Sequence, residues 1–449
     1  MKLLGILVGC AVAALAASND TVLIHNADVY PVTGAPMKGV SVLVQDGKIA
    51  DIGPKIVAAK GVHVVEAKGL RVYPGMLDSG TELGLSEIGA VRETVDTGEL
   101  GEFMPQLRAL IAVNPESEHF PVVRVNGITS VMTFPSSGGR GGGGGRFGGG
   151  EQQMISGQAA LIHTDGWTWE DMEINRSAAM HLIFPSIAGR GGRGGGGPAP
   201  DSTVLELFGG AGAGSYTAAR RAYEQQIAKI NDFFDDARKY MKAKAANAPG
   251  FQRDLKFEAM IPVLERKMPV AVSASRASTI HDAIAFADKQ NIKIVILQPR
   301  ELGKAAAELK EKNIPVILGR VLALPETEDG AYDEAFTLPA EAYKAGVKFA
   351  FGTFNNEFVR NLPYQAATAV GFGLPYEEAV KAVTINPAEI WGVSDRVGSV
   401  EKGKVADLMV TDGDPLEIQT QVKYLYIKGK EIALTNKQTR LYEKYMSRQ

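Results

Sequence analysis

The chain is poor in the residues that most often announce chemistry. It holds one cysteine, three tryptophans and six histidines among 449 residues. A lone cysteine cannot form an internal disulfide, and Cys10 sits in a stretch expected to be cleaved off. The mature protein is therefore expected to have no disulfide, no thiolate nucleophile and no cysteine ligand for a metal. No internal apolar run is long enough to span a bilayer. The net charge is only −3, so nothing in the overall charge draws the protein to nucleic acid or to an anionic membrane. Hydrophobic residues make up 45% and charged residues 22%, an ordinary globular balance in a chain long enough to bury a large core.

At the N-terminus Lys2 precedes an apolar run over residues 3–16, and Ala14-Leu15-Ala16 is a small-x-small cleavage site. This pattern reads as a signal peptide over residues 1–17 and predicts a periplasmic or secreted protein. Leu7-Val8-Gly9-Cys10 has the outline of a lipoprotein box, but too little apolar chain precedes it to favour a lipid anchor.

Glycine, by contrast, is abundant, at 51 residues. Two tracts, 136–150 (SSGGRGGGGGRFGGG) and 189–197 (GRGGRGGGG), are nearly all glycine with scattered arginine. Each follows a predicted strand, over 127–134 and 180–184, so both are expected to be floppy loops at strand C-termini. Elsewhere short strands and turns fill residues 21–72, with Asp46-Gly47 as a tight hairpin, and the same style returns over 406–434. Between them strands alternate with helices, which is the pattern of a parallel α/β fold. A helix over 218–244 has the stripe Tyr223, Ile227, Ile230, Phe234, Ala237 and Met241, which predicts core packing. A second helix, over 251–266, is expected to bend or break at Pro262. Strand–helix units follow from 268 to 383.

Residues 72–85 (VYPGMLDSGTELGL) carry the most specific motif. On a strand Asp78, Gly80 and Glu82 share one face. The run resembles the first barrel strand of the amidohydrolase superfamily, in which Pro-Gly, two hydrophobic residues and aspartate lead to two metal-binding histidines. Residues 396–415 (RVGSVEKGKVADLMVTDGDP) are similar to that family's second signature, a structural one. The resemblance, to imidazolonepropionase-like members, covers nearly the whole mature chain. It implies an α/β fold: a (β/α)8 TIM barrel over 74–395 plus a small composite β-sandwich formed by both chain ends, 20–73 and 396–435. It also implies metal-dependent hydrolysis of carbon–nitrogen bonds in amides, cyclic amides or dipeptides, with zinc as the family cofactor.

The positions that match the family's ligands hold other residues. The two histidine positions are Gly80 and Glu82. Later ones fall at Ser273 or Ser275 and at Gln298, and the aspartate that binds metal and moves the proton is replaced by Phe354. Glycine and phenylalanine can neither ligate nor transfer protons, and a catalytic zinc needs about three protein ligands. No cofactor is therefore expected at this site.

Glu82, His163 and Asp165 are the candidates for a makeshift acid–base or metal site. The block Asp165 to Met172 is similar to one in members with altered histidine motifs, which implies a subfamily. Ser273 and Ser275 lie in no G-x-S-x-G elbow and have no assigned base. His25 and His63 fall in the end sheet, His119 is expected on the opposite face of the barrel, His181 near the start of a strand, and His281 on a helix surface. Two function classes stay open. One is an amidohydrolase with unusual ligands or no metal. The other is a non-catalytic member that binds a small molecule or a partner subunit, as a homo- or hetero-oligomer.

Overall fold

The structure, a computed structural model, describes residues 21–135, 153–187, 213–325 and 330–448. The expected signal peptide and both glycine-rich tracts lie outside the described residues.

Five strands come first: β1 (Val22–Val29), β2 (Met37–Gln45), β3 (Lys48–Gly53), β4 (His63–Glu66) and β5 (Arg71–Pro74). Eight more form the barrel: β6 (Met76–Thr81), β7 (Ile128–Thr133), β8 (Ile155–His163), β9 (Glu173–Ile183), β10 (Val270–Ser273), β11 (Ile294–Leu297), β12 (Val316–Leu318) and β13 (Phe349–Phe351). The chain returns with β14 (Leu408–Thr411), β15 (Val422–Ile427) and β16 (Lys430–Glu431). β1–β5 and β14–β16 make one eight-stranded sheet in the order β16-β15-β14-β5-β1-β2-β3, with β4 on β1. Both chain ends thus share a sheet through β5 and β14, which pair antiparallel from Leu408↔Pro74 to Thr411↔Arg71.

That sheet curls on itself. Ile49 donates its amide to the Lys404 carbonyl and Ala406 donates to Gly47. Asp46 and Gly47 take φ of 49° and 75°, and Lys428 and Gly429 take 51° and 74°, which is the left-handed pair that a two-residue hairpin needs. The two hairpin tips abut: a Cβ on Gly429 would lie 2.9 Å from the Gly47 Cα.

The barrel order is β13-β12-β11-β10-β9-β8-β7-β6. Neighbours run parallel with one exception, because β8 is antiparallel to both β7 and β9. β9 begins at Glu173, seven residues before the strand expected from the sequence, and forms a hairpin with β8. Alternate side chains fill the barrel. Leu77, Leu161, Ala271, Val295 and Ile317 face one another in an inner apolar cluster, while residues of the other parity pack against the outer helices. The long helix Ala213–Ala245 buries Ile230, Phe234 and Ala237, as its stripe predicts, and Phe234 meets Phe286 edge-on at 5.2 Å. Pro262 lies inside the helix Leu255–Leu264, which ends two residues later. No helix among the described residues is long and apolar enough to cross a membrane.

Closure of the barrel depends on Asp78. β6 and β13 stand at the two ends of the ladder path, and the Asp78 carboxylate ties them. One oxygen accepts from the Gly80 amide at 2.9 Å and the Thr353 amide at 3.1 Å. The other accepts from the Thr353 hydroxyl at 2.6 Å. Phe354 completes the seam by donating its amide to the Gly80 carbonyl at 2.7 Å.

Burial outweighs these hydrogen bonds and raises the Asp78 carboxyl from 3.8 to about 7. Between those values the folded state holds the proton more tightly than the unfolded chain. The contribution of Asp78 to stability is therefore fully present below pH 3.8 and is lost as pH rises through about 7. Asp78→Asn, which mimics the protonated acid, should gain on the native protein as pH climbs from 5 to 8. The gain is on the order of a few kcal/mol at most, read from denaturant midpoints at each pH.

Candidate functional site

The C-terminal ends of the barrel strands hold most of the positions singled out in the sequence, and they form two patches. At the β6–β13 seam, Gly80 follows Asp78 by two residues and Phe354 follows Thr353. Phe354 sits in the left-handed region at φ 46°, a conformation disfavoured for a bulky residue. That turn lays its ring over Gly80. A Cβ built on Gly80 would lie 2.8 Å from two Phe354 ring carbons, and one on Gly352 would lie 2.7 Å from a third. The ring thus occupies the volume into which a side chain at position 80 would project, and it joins the inner apolar cluster.

Gln298 follows β11 with φ 54° and donates its backbone amide to the Ile317 carbonyl at 2.8 Å. Together with Phe354, Arg300, Leu318, Arg320 and Leu338 it lines a cleft of about 160 Å³ beside β11, β12 and the helix Glu334–Ala345. Glu82, half-buried, leaves the end of β6. The Ser275 carbonyl accepts from the Arg300 and Glu301 amides at 2.9 and 3.1 Å, which joins the loops after β10 and β11.

The second patch lies across β8, β9 and β10. His181 is buried at 7% exposure. Its Nε2 lies 3.0 Å from the Ser273 Oγ, and its Nδ1 lies 2.7 Å from the Ser156 Oγ and 2.8 Å from the Pro135 carbonyl. Burial lowers the imidazole from 6.5 to about 4, so it is neutral at neutral pH. Phe134 packs edge-on to the ring at 5.4 Å. His181 lies near the end of β9 and not near a strand start, because the strand begins earlier than the sequence pattern indicates. Read over its full length, β9 carries Ala179, His181 and Ile183 on one face at the barrel mouth, and that alternation was the available signal.

Glu82, His163 and Asp165 are not brought together. Since β8 runs antiparallel, its end lies at the opposite end of the barrel from the end of β6. His163 sits opposite Ser130, level with Leu77, roughly 15 Å down the strands from Glu82. There His163 Nδ1 faces the Asp407 carboxylate at 3.3 Å, both side chains 5% exposed. Burial pushes the His163 imidazole down, and Asp407 opposes the shift. This pair sits where the barrel meets the end sheet, since Asp407 also accepts from the Lys428 amide and its carbonyl accepts from Gly75. Asp165 is held by Arg124 at 2.5 Å and lines a separate cleft of about 350 Å³ outside the barrel, with the exposed Trp167. Trp169 packs against the core. His119 contacts the Glu87 carbonyl at 3.0 Å, and its neighbours Ser117, Glu118 and Pro121 line the same cleft as Asp165. His25 contacts the Ser41 hydroxyl at 3.0 Å and His281 contacts Glu308 at 2.6 Å.

A divalent metal held at the strand ends does not fit the residues there. One position has no side chain and its space is filled by an aromatic ring. Ser273 is engaged by His181, and Gln298 offers a weak amide donor where zinc prefers imidazole, thiolate or carboxylate. Among the described residues no group of three or more His, Cys, Asp or Glu side chains converges.

Residues 194–432 match the model of the amidohydrolase family. The chain belongs to that family. Amidohydrolase tasK of Hapsidospora irregularis is 24% identical over 446 residues, covering 91% of this chain and 42% of that protein. Imidazolonepropionase of Brucella suis is 30% identical over 151 residues, 32% of this chain and 35% of that enzyme. The chain thus spans less than half the length of these curated relatives. Among solved structures, an amidohydrolase from Thermotoga maritima MSB8 superposes with a TM-score of 0.74 at 28% identity, over 92% of this chain and 99% of that one. The barrel with its composite end sheet is therefore the family architecture.

The contact between Gly80 and Phe354 in this amidohydrolase makes a sharp stability prediction. Gly80→Ala should cost about 1–3 kcal/mol by overpacking the ring. In Phe354→Ala the same substitution should cost far less, so a double-mutant cycle by denaturant unfolding should show strong coupling. Equal costs in both backgrounds would contradict the contact.

Proposed function

We propose that this amidohydrolase takes a small molecule with an amide-type carbon–nitrogen linkage at its strand-end mouth, without the metal-dependent chemistry of its family. The observation that carries this reading is the Phe354 ring packed on Gly80, which places hydrocarbon where a first-strand ligand and a proton-transferring carboxylate would both be needed. The cleft beside Gln298 and Phe354 supplies a binding volume at the face where barrel active sites lie. Relatives named amidohydrolase and imidazolonepropionase support the substrate class. Export behind a cleaved leader over residues 1–17 belongs to the same proposal and rests on Lys2 and the apolar run that follows it. Binding without turnover is the second reading, and the absence of a carboxylate or imidazole at position 354 favours it.

Metal content tests the proposal. Protein produced with zinc supplied and then desalted should hold zinc far below one equivalent by elemental analysis. Near-stoichiometric zinc that disappears in Glu82→Ala would return the chain to the metal-dependent hydrolases.

A further inference from the structure

Ser273 closes β10 at the barrel mouth and is half-buried. His181 lies opposite Ala271 in the β9–β10 ladder, so both side chains point into the barrel and meet on the diagonal. The hydrogen bonds around His181 settle its tautomer. A carbonyl only accepts, so Nδ1, 2.8 Å from the Pro135 oxygen, must carry the ring proton. Ser156 donates its own proton to the same carbonyl at 3.0 Å, which turns a lone pair toward Nδ1. Nε2 therefore presents a lone pair, and the Ser273 hydroxyl 3.0 Å away is the donor. A hydroxyl bonded to an imidazole whose far nitrogen is oriented by a third group is the constellation of an activated nucleophile. The helix Ala277–Gln290 begins four residues beyond Ser273, and its N-terminus adds positive potential on that side of the mouth.

We propose that Ser273 is a nucleophile and His181 its general base, acting on small carboxylic esters and amides. The inference rests on the metal-free reading of the mouth and says what takes the place of a metal-bound hydroxide there. The Ser273 Oγ attacks the carbonyl carbon as its proton passes to His181 Nε2. The tetrahedral adduct collapses, the carbon–nitrogen or carbon–oxygen ester bond breaks, and Nε2 returns the proton to the departing amine or alcohol. Water then attacks the acyl-serine, gives a proton to Nε2, and Ser273 leaves reprotonated with release of the acid. One water is consumed and no redox partner is needed. Because Nδ1 is held by a neutral carbonyl and not by a carboxylate, the imidazolium is poorly stabilised, and esters should turn over faster than amides.

The test uses a fluorophosphonate serine probe on the full protein in the presence of EDTA, read by intact mass and peptide mapping. One equivalent on Ser273 is expected, absent in Ser273→Ala. His181→Gln should slow labelling by about a hundredfold or more, while Ser278→Ala, on the exposed start of the helix, should label at the native rate. Circular dichroism of each variant separates a lost base from a lost fold. Folded, zinc-free protein with Ser273 unlabelled would overturn the nucleophile alone. A folded His181→Gln that labels at the native rate would overturn the base. Stoichiometric zinc beside a labelled Ser273 would instead overturn the metal-free reading and leave the nucleophile standing.

Discussion

One buried carboxylate closes this barrel. Asp78 spends its acceptor capacity on Gly80 and Thr353, so β6 and β13 meet through a side chain and two backbone amides where a strand ladder would otherwise run. Thr353 is fixed by that tie, and the next residue, Phe354, is turned into the left-handed region with its ring over Gly80. The same local geometry that completes the fold thereby fills the place where a metal ligand would stand. Closing the barrel and filling the ligand position are a single arrangement, three hydrogen bonds across the seam and the Phe354 ring on Gly80.

The two ends of the barrel divide the labour. At the end that meets the terminal sheet, His163, Asp407 and the hairpin tip around Lys428 form a buried polar junction. It fixes how the composite sheet sits and has no opening to a ligand among the described residues. At the other end, Ser156, His181 and Ser273 form a polar group beside the inner apolar cluster, and Phe134 separates His181 from Trp391. Polar side chains that are hydrogen-bonded this fully are affordable in a buried wall, and the half-exposed Ser273 is where that network reaches the mouth.

Much of the fold was legible because it is written in local rules. Pro74-Gly75 through Asp78 and the segment around Ala406-Asp407 fix backbone positions that either fold or fail, and Asp46-Gly47 and Lys428-Gly429 announce their turns by chemistry alone. The site was less legible, for two physical reasons. A reversed strand changes which end of the barrel each of its residues occupies, and sequence spacing carries no sign of direction. That is why Glu82 and His163 looked combinable. The expected start of β9 was seven residues late, which placed His181 at the wrong end of its strand. Ser273 was visible as a serine without a base, and the base lay on the neighbouring strand, reachable only through the register of β9 against β10.

The most direct measurement is diffraction from crystals grown with excess zinc, with data collected across the zinc absorption edge. Ring density for Phe354 against Gly80 and no anomalous peak between β6 and β13 are expected. An anomalous peak there, with Phe354 swung away from Gly80, would contradict this arrangement.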